Sequence, residues 1–66
     1  MKHSLAGREV IFEFFTVGNI IKVTAMDTQT LTEISIQGPK SAGESTLKAN
    51  AKKRLEYVMR KKGLIL

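Results

Sequence analysis

Three glutamates and one lysine come closest, by type and spacing, to an acid–base constellation in this chain. Glu9, Glu13 and Glu33 fall on one face of the predicted strands, and Lys22 lies between them. Paired carboxylates act as acid and base only where their environments differ. A cross-strand ladder of charges accounts for this arrangement more simply, so we expect a structural role for these residues.

Groups that activate a nucleophile or hold a metal ion are scarce. The chain has no cysteine, and its one histidine, His3, falls within residues 1–7, which are predicted to be a flexible N-terminus. One imidazole without neighbouring ligands does not make a zinc site, and no base accompanies the serines and threonines. The segment from Gly38 to Gly43 departs from the order of a phosphate-binding loop. We therefore expect no catalytic residue, no cofactor and no metal, and a protein that is not an enzyme.

The whole net charge of +5 lies in the last third of the chain. Between Glu44 and Lys62 there are seven cations and two acids, whereas residues 1–43 contain four of each. This asymmetry indicates either a solvated helix face or a surface for an anionic partner: nucleic acid, another acidic partner or a membrane surface. The candidate anion-binding residues are Lys48, Lys52, Lys53, Arg54, Arg60 and Lys61.

The first part of the chain, residues 8–37, is predicted to form a meander of three strands. β-branched and aromatic residues, which favour strands, predict them at Arg8–Val17, Ile20–Met26 and Leu31–Gln37.

Two turns determine how these strands would pair. Gly18-Asn19 fits a two-residue hairpin turn, which sets Phe14 opposite Val23. A four-residue turn over residues 27–30 would set Val23 opposite Ile34. Both pairings place apolar side chains on one core face, made of Val10, Phe12, Phe14, Ile21, Val23, Ala25, Ile34 and Ile36.

A basic amphipathic helix is predicted over residues 41–62, followed by an apolar tail at residues 64–66. Ser41 and Glu44 have the spacing of a capping box, and Gly63 suits the position after a helix end. Apolar residues recur at helical spacing at Leu47, Ala51, Leu55, Val58 and Met59. The predicted fold class is α+β, a three-stranded antiparallel β-meander with one C-terminal helix packed on one face (β-β-β-α).

The other face of the predicted sheet is more apolar than a solvated face needs to be. A small core without disulfides gains from a partner chain, so we expect a homo-oligomer formed through this face. The alternatives are scattered surface residues, or a cover made by residues 64–66 or by the N-terminal segment around Leu5. Open sheet edges offer a second route to association. The candidate interface residues are Ile11, Phe15, Val17, Ile20, Met26 and Leu31.

Length and hydropathy set the remaining expectations. Sixty-six residues correspond to a single domain over 1–66. No stretch approaches the ~20 apolar residues of a membrane span, and residues 1–7 are too polar for a signal peptide. These features favour the cytoplasm.

Several short runs carry a family resemblance. They are Gly7–Phe14, Val17–Asn19, Lys22-Val23, Gly38-Pro39, Ala42–Glu44, Leu55–Val58 and Arg60-Lys61. In these runs the chain resembles a family of short bacterial proteins of unknown function. The resemblance implies no established activity, cofactor or partner.

Overall fold

The computed structural model describes residue 5 and residues 7–66 of the chain. Three antiparallel strands form one sheet in the order β1-β2-β3, followed by one helix, which confirms the predicted β-β-β-α class. The elements are β1 Val10–Val17, β2 Ile20–Asp27, β3 Glu33–Pro39, a short 3-10 turn Lys40–Ala42, and the helix α1 Glu44–Lys61.

The first hairpin has the predicted pairing. Val17 pairs with Ile20 around the Gly18-Asn19 turn, and Phe14 lies opposite Val23. Gly18 adopts a φ of 57°, a left-handed conformation that a residue without a Cβ reaches at little cost.

The second hairpin differs from the prediction by two residues. Val23 lies opposite Ile36 rather than Ile34, because the connection from β2 to β3 is longer than a four-residue turn. The backbone N–H of Asp27 donates to the carbonyl of Thr32 at 2.9 Å, and Leu31 adopts a φ of 61° inside the turn. A shift of two residues matches the side-chain period of a strand, so Ile34 and Ile36 still point toward the helix.

The core lies between α1 and the two strands β2 and β3, with β1 beside it. The fully or nearly fully buried apolar residues are Leu5, Ile21, Val23, Ala25, Leu47, Ala51, Leu55, Met59 and Ile65. Val10, Phe12, Ile34 and Ile36 are partly buried against this cluster. Phe14 was also expected in the core, but it is 36% exposed because the helix does not extend over its end of β1.

The two ends of α1 are built differently from each other. The predicted capping box is wrong: Ser41 belongs to the 3-10 turn, and Gly43 is the N-cap, with no side-chain hydrogen bond. At the C-terminus, Gly63 has a φ of 74° and the N–H of Leu64 donates to the carbonyl of Met59 at 2.9 Å. This is a Schellman motif, and it turns the tail back so that Ile65 enters the core.

Gly38 allows the start of α1 to approach the sheet. It lies in β3 opposite Ile21, and a methyl group on its Cα would overlap the buried side chain of Leu47. The helix therefore packs directly on strand backbone at this point.

We predict that Gly38→Ala destabilises the protein by about 1–2 kcal/mol, because crowding in a packed core outweighs the entropy that alanine saves. Chemical denaturation followed by circular dichroism measures the effect. Gln37→Ala, at the exposed neighbouring position of β3, is the control and should change stability by less than about 0.5 kcal/mol. Equal stability of Gly38→Ala and wild type would contradict the close contact with Leu47.

Candidate interaction surfaces and a buried ion pair

All six cations proposed from the sequence are exposed on α1, but they do not form one patch. Lys48 and Lys52 lie on the helix flank that faces β1, where they line an open groove of about 460 Å³. Val10 and Phe12 contribute apolar lining to this groove, and the Nζ of Lys48 sits 4.9 Å from the centre of the Phe12 ring. The Phe12 ring, with Lys48 over it and Lys52 on the same flank, forms one distinct surface, which we call the Lys48/Lys52 groove.

Three of the other four cations are associated with Tyr57 or with the tail. The guanidinium of Arg54 lies 5.4 Å from the Tyr57 ring, and the ammonium of Lys61 lies 6.0 Å from it. The Nε of Arg60 donates to the carbonyl of Leu66 at 2.8 Å. The cations thus occupy at least two different flanks of the helix.

The sheet face turned away from α1, here called the outer face, has an apolar cluster at the first hairpin. Phe15 is 64% exposed, Val17 is 62% exposed, and Ile20 lies beside Val17 in the strand pairing. With Lys22 and Gln37 they line a shallow groove of about 350 Å³.

A polar row divides the outer face. Glu13, Thr24 and Ser35 lie side by side across the three strands, and the hydroxyls of Thr24 and Ser35 are hydrogen-bonded at 3.0 Å. Ile11 and Met26 pair with each other beyond this row. The six proposed interface residues therefore do not form one continuous patch.

Leu31 does not belong to the outer face. It lies in the connection between β2 and β3, and its side chain is 70% exposed. Its placement on a strand was wrong, because β3 begins two residues later than predicted, at Glu33.

Neither candidate intramolecular cover reaches the outer face within the described part of the chain. Leu5 is 3% exposed and Ile65 is 7% exposed, and both belong to the core cluster on the helix side of the sheet. The N–H of Leu5 donates to the Glu56 carboxylate at 3.4 Å. Leu5, expected in a flexible segment, instead packs in the core.

The most deeply buried charged side chain in the described structure is that of Asp27, and local sequence patterns do not predict its burial. The guanidinium of Arg8 donates to the Asp27 carboxylate from Nε at 3.0 Å and from Nη2 at 3.3 Å. The Asp27 side chain has no exposed surface. The N–H and hydroxyl of Thr30 also donate to it, at 2.9 and 2.8 Å. An aspartate followed by threonines at alternate positions indicates a turn. It does not indicate that the aspartate pairs with an arginine 19 residues earlier in the chain.

This cluster links the residues before β1 to the turn after β2 and is fully hydrogen-bonded. Among the residues that the structure describes, no buried side-chain nitrogen or oxygen lacks a partner. The hydrogen bond from Arg8 is the main cause that lowers the pKa of the Asp27 carboxyl below its ordinary value of 3.8; burial acts in the opposite direction, and Thr30 adds to the lowering. The pair joins the start of β1 to the turn after β2.

Over residue 5 and residues 7–66, no group of three or more histidine, cysteine, aspartate or glutamate side chains could hold a metal ion. His3 lies outside the described residues. The helix in that range is not apolar enough to cross a membrane.

The fold and its surfaces define a small β-β-β-α domain with a basic helix. The family model of a domain of unknown function, DUF6898, matches residues 7–62. The chain belongs to this family. Comparisons with curated proteins and with solved structures give no match.

We predict that Asp27→Asn costs about 2–3 kcal/mol at pH 7, because it leaves the Arg8 guanidinium without a charged partner. The pKa of Asp27 is lowered by folding, so its stabilisation is fully present above its unfolded pKa. That stabilisation is lost as pH falls through the folded pKa. The free energy of unfolding should therefore fall less for Asp27→Asn than for wild type between pH 7 and about pH 2.

Glu33→Gln serves as the control, because it removes a carboxylate that is exposed to water. Its pH profile should follow that of wild type. Parallel pH profiles for Asp27→Asn and wild type would show that the ion pair does not stabilise the fold.

Proposed function

We propose that this domain is a non-enzymatic interaction module that self-associates through the outer face of its sheet. The observation that carries the proposal is the exposure of Phe15, Val17 and Ile20, more than a third of each side chain, in one cluster. Contiguous exposed apolar surface on a small protein marks a contact site more often than a solvated face. A cytoplasmic location belongs to the same proposal.

A second copy of the chain suits this face because its charges complement each other. Lys22 borders the apolar cluster, and the acidic Glu13 and Glu33 lie farther along the same face. In a dimer with a twofold axis, the two copies contact each other through the same patch. A residue away from the axis then contacts a different residue of the other copy. An antiparallel arrangement can then place Lys22 of each copy near carboxylates of the other.

We predict that Ile20→Glu weakens association through this face, because it places a carboxylate in the apolar contact. Sedimentation equilibrium or light scattering over a range of concentrations gives the dissociation constant, which should rise about tenfold or more. Tyr57→Glu introduces the same charge at an exposed aromatic residue of the helix and should leave association unchanged.

Circular dichroism establishes whether both variants remain folded. The proposal fails if Ile20→Glu and wild type have equal dissociation constants, or if wild type remains a monomer at millimolar concentration.

Binding of nucleic-acid phosphates by the basic helix is the second candidate function. The observation in its favour is the Lys48/Lys52 groove, in which two lysines and a partly buried aromatic ring line the same surface. Lysines attract the phosphate backbone, and aromatic rings stack with unpaired bases, so the combination suits single-stranded nucleic acid.

We predict that Lys48→Gln/Lys52→Gln weakens binding to a single-stranded oligonucleotide more than Lys53→Gln/Lys62→Gln does. Both double variants remove two positive charges from exposed positions of the same segment. Fluorescence anisotropy at two salt concentrations measures the affinity, and the first pair should lose about tenfold while the second loses less. Equal losses would indicate a general charge effect. Affinity weaker than about 1 mM at low salt would reject this candidate.

A further inference from the structure

The strand β1 is the least covered element of the sheet. On the outer face Ile11, Phe15 and Val17 are exposed, and on the helix-facing side Phe14 is exposed and Phe12 only partly buried. β2, in contrast, is buried at every second residue from Ile21 to Asp27. The helix packs over β2 and β3, so β1 is short of neighbours on both faces and along one edge.

The hydrogen-bonding groups on that open edge can be assigned from the pairing of β1 with β2. Across a two-residue turn, Val17 and Ile20 exchange both of their bonds, and such pairs then alternate along the ladder. The N–H of Thr28 donates to the carbonyl of Glu9, which continues the same alternation beyond β1. The outward N–H and C=O groups therefore belong to Val10, Phe12, Phe14 and Thr16.

The two edges of the sheet differ in how they are protected. β3 ends in Gly38-Pro39, and the chain then turns, with the Lys40 N–H donating to the Asn19 carbonyl. Between Val10 and Val17 there is no proline, glycine or lysine, and Glu13 is the only charged residue. Proteins commonly blunt an open edge with prolines, charges or bulges. β1 has only Glu13 for this purpose.

We propose that β1 pairs along this edge with β1 of a second copy of the chain. The two strands run antiparallel, and the two three-stranded sheets join into one sheet of six strands. A twofold axis between antiparallel strands must stand perpendicular to the sheet, so both helices lie on the same side. This contact uses an edge rather than the outer face, and it stands whether or not the outer-face contact exists.

Symmetry and the outward groups restrict the register of the pairing. Directly opposed side chains in an antiparallel pair lie on the same face of the sheet, and the perpendicular twofold axis keeps each side chain on its own face. Even-numbered residues of β1 must therefore oppose even-numbered residues of the second copy, and odd-numbered residues must oppose odd-numbered ones. The register centred on Glu13 pairs Val10 with Thr16 of the second copy and Phe12 with Phe14 of the second copy. Each pair occurs twice and exchanges two bonds, so about eight hydrogen bonds form. Registers centred on Phe12 or Phe14 leave part of the strand unpaired.

The same register supplies apolar neighbours for the uncovered side chains of β1. On the helix-facing side, Phe12 packs beside Phe14 of the second copy. On the outer face, Ile11 packs beside Phe15 of the second copy. Directly opposed aromatic and branched side chains are favourable pairs in antiparallel sheets.

Glu13 opposes this pairing, since it meets Glu13 of the second copy at the twofold axis. Like charges directly opposite each other destabilise a strand pair. The glutamate therefore keeps the association weak and reversible rather than blocking it. Removing the charge should tighten the pairing in this register, whereas in the other two registers Glu13 faces an apolar side chain.

The first experiment compares Phe14→Pro with Phe14→Thr by sedimentation equilibrium. Both remove the aromatic ring, but only proline removes the outward N–H, and neither interrupts the ladder between β1 and β2. Phe14→Pro should raise the dissociation constant about tenfold above that of Phe14→Thr. The Ile20→Glu variant tests the outer face separately, because Ile20 lies on β2. Equal dissociation constants for the two Phe14 variants overturn the edge pairing.

The second experiment uses the absence of cysteine in the chain and does not depend on how Phe14→Pro folds. Glu13→Cys places its thiol on the twofold axis, at a separation that suits a disulfide between opposed strand residues. Ser35→Cys lies in the same row on the opposite edge of the sheet. Under mild oxidation Glu13→Cys should form a covalent dimer much faster than Ser35→Cys. Cross-linking of Ser35→Cys at an equal or higher rate overturns the proposal.

A third measurement tests the register. Glu13→Gln should lower the dissociation constant about threefold to tenfold, because it removes two opposed charges. An unchanged or higher dissociation constant rejects the register centred on Glu13.

Discussion

One helix has to cover a sheet of three strands, and most features of this domain follow from that constraint. A helix with its side chains is about 10 Å wide, whereas strands lie about 4.8 Å apart, so one helix covers two strands well. Here α1 packs over β2 and β3, and the buried residues of the sheet belong to β2. β1 keeps its place through its hydrogen bonds to β2 and through contacts near its start.

The contacts at the start of β1 compensate for the missing helix cover. Leu5 is buried in the core, and Arg8 pairs with the enclosed carboxylate of Asp27. This ion pair joins the N-terminal segment to the turn between β2 and β3, where Thr30 also donates to the carboxylate. A buried pair of this kind adds little net energy compared with apolar packing, but removing one partner is costly because the other charge is left buried.

The same constraint leaves the surfaces on which association is proposed. The outer face is open because all packing occurs on the other side of the sheet, and the edge of β1 is open because the sheet ends there. Lys48 and Lys52 border the gap between α1 and β1 for the same reason.

The sequence by itself determined the order and type of the strands and the helix, the fold class and the first hairpin. These depend on local signals: alternating apolar residues in the strands, Gly18-Asn19 in a tight turn, and the spacing from Leu47 to Met59 in the helix. The exposure of the six helix cations could also be predicted, because a helical stripe assigns each residue to a side. Their division between the groove and the Tyr57 flank could not, because it depends on where the helix lies on the sheet.

Only the tertiary structure decided the second register, the burial of Leu5 and Ile65, and the exposure of Phe14. The register depends on the turn that Asp27 organises, and Asp27 is held by Arg8, nineteen residues earlier in the chain. The predicted outer patch was divided for a similar reason, since the row of Glu13, Thr24 and Ser35 forms only when three strands are aligned. Such features arise from contacts between residues distant in sequence, which local patterns do not specify.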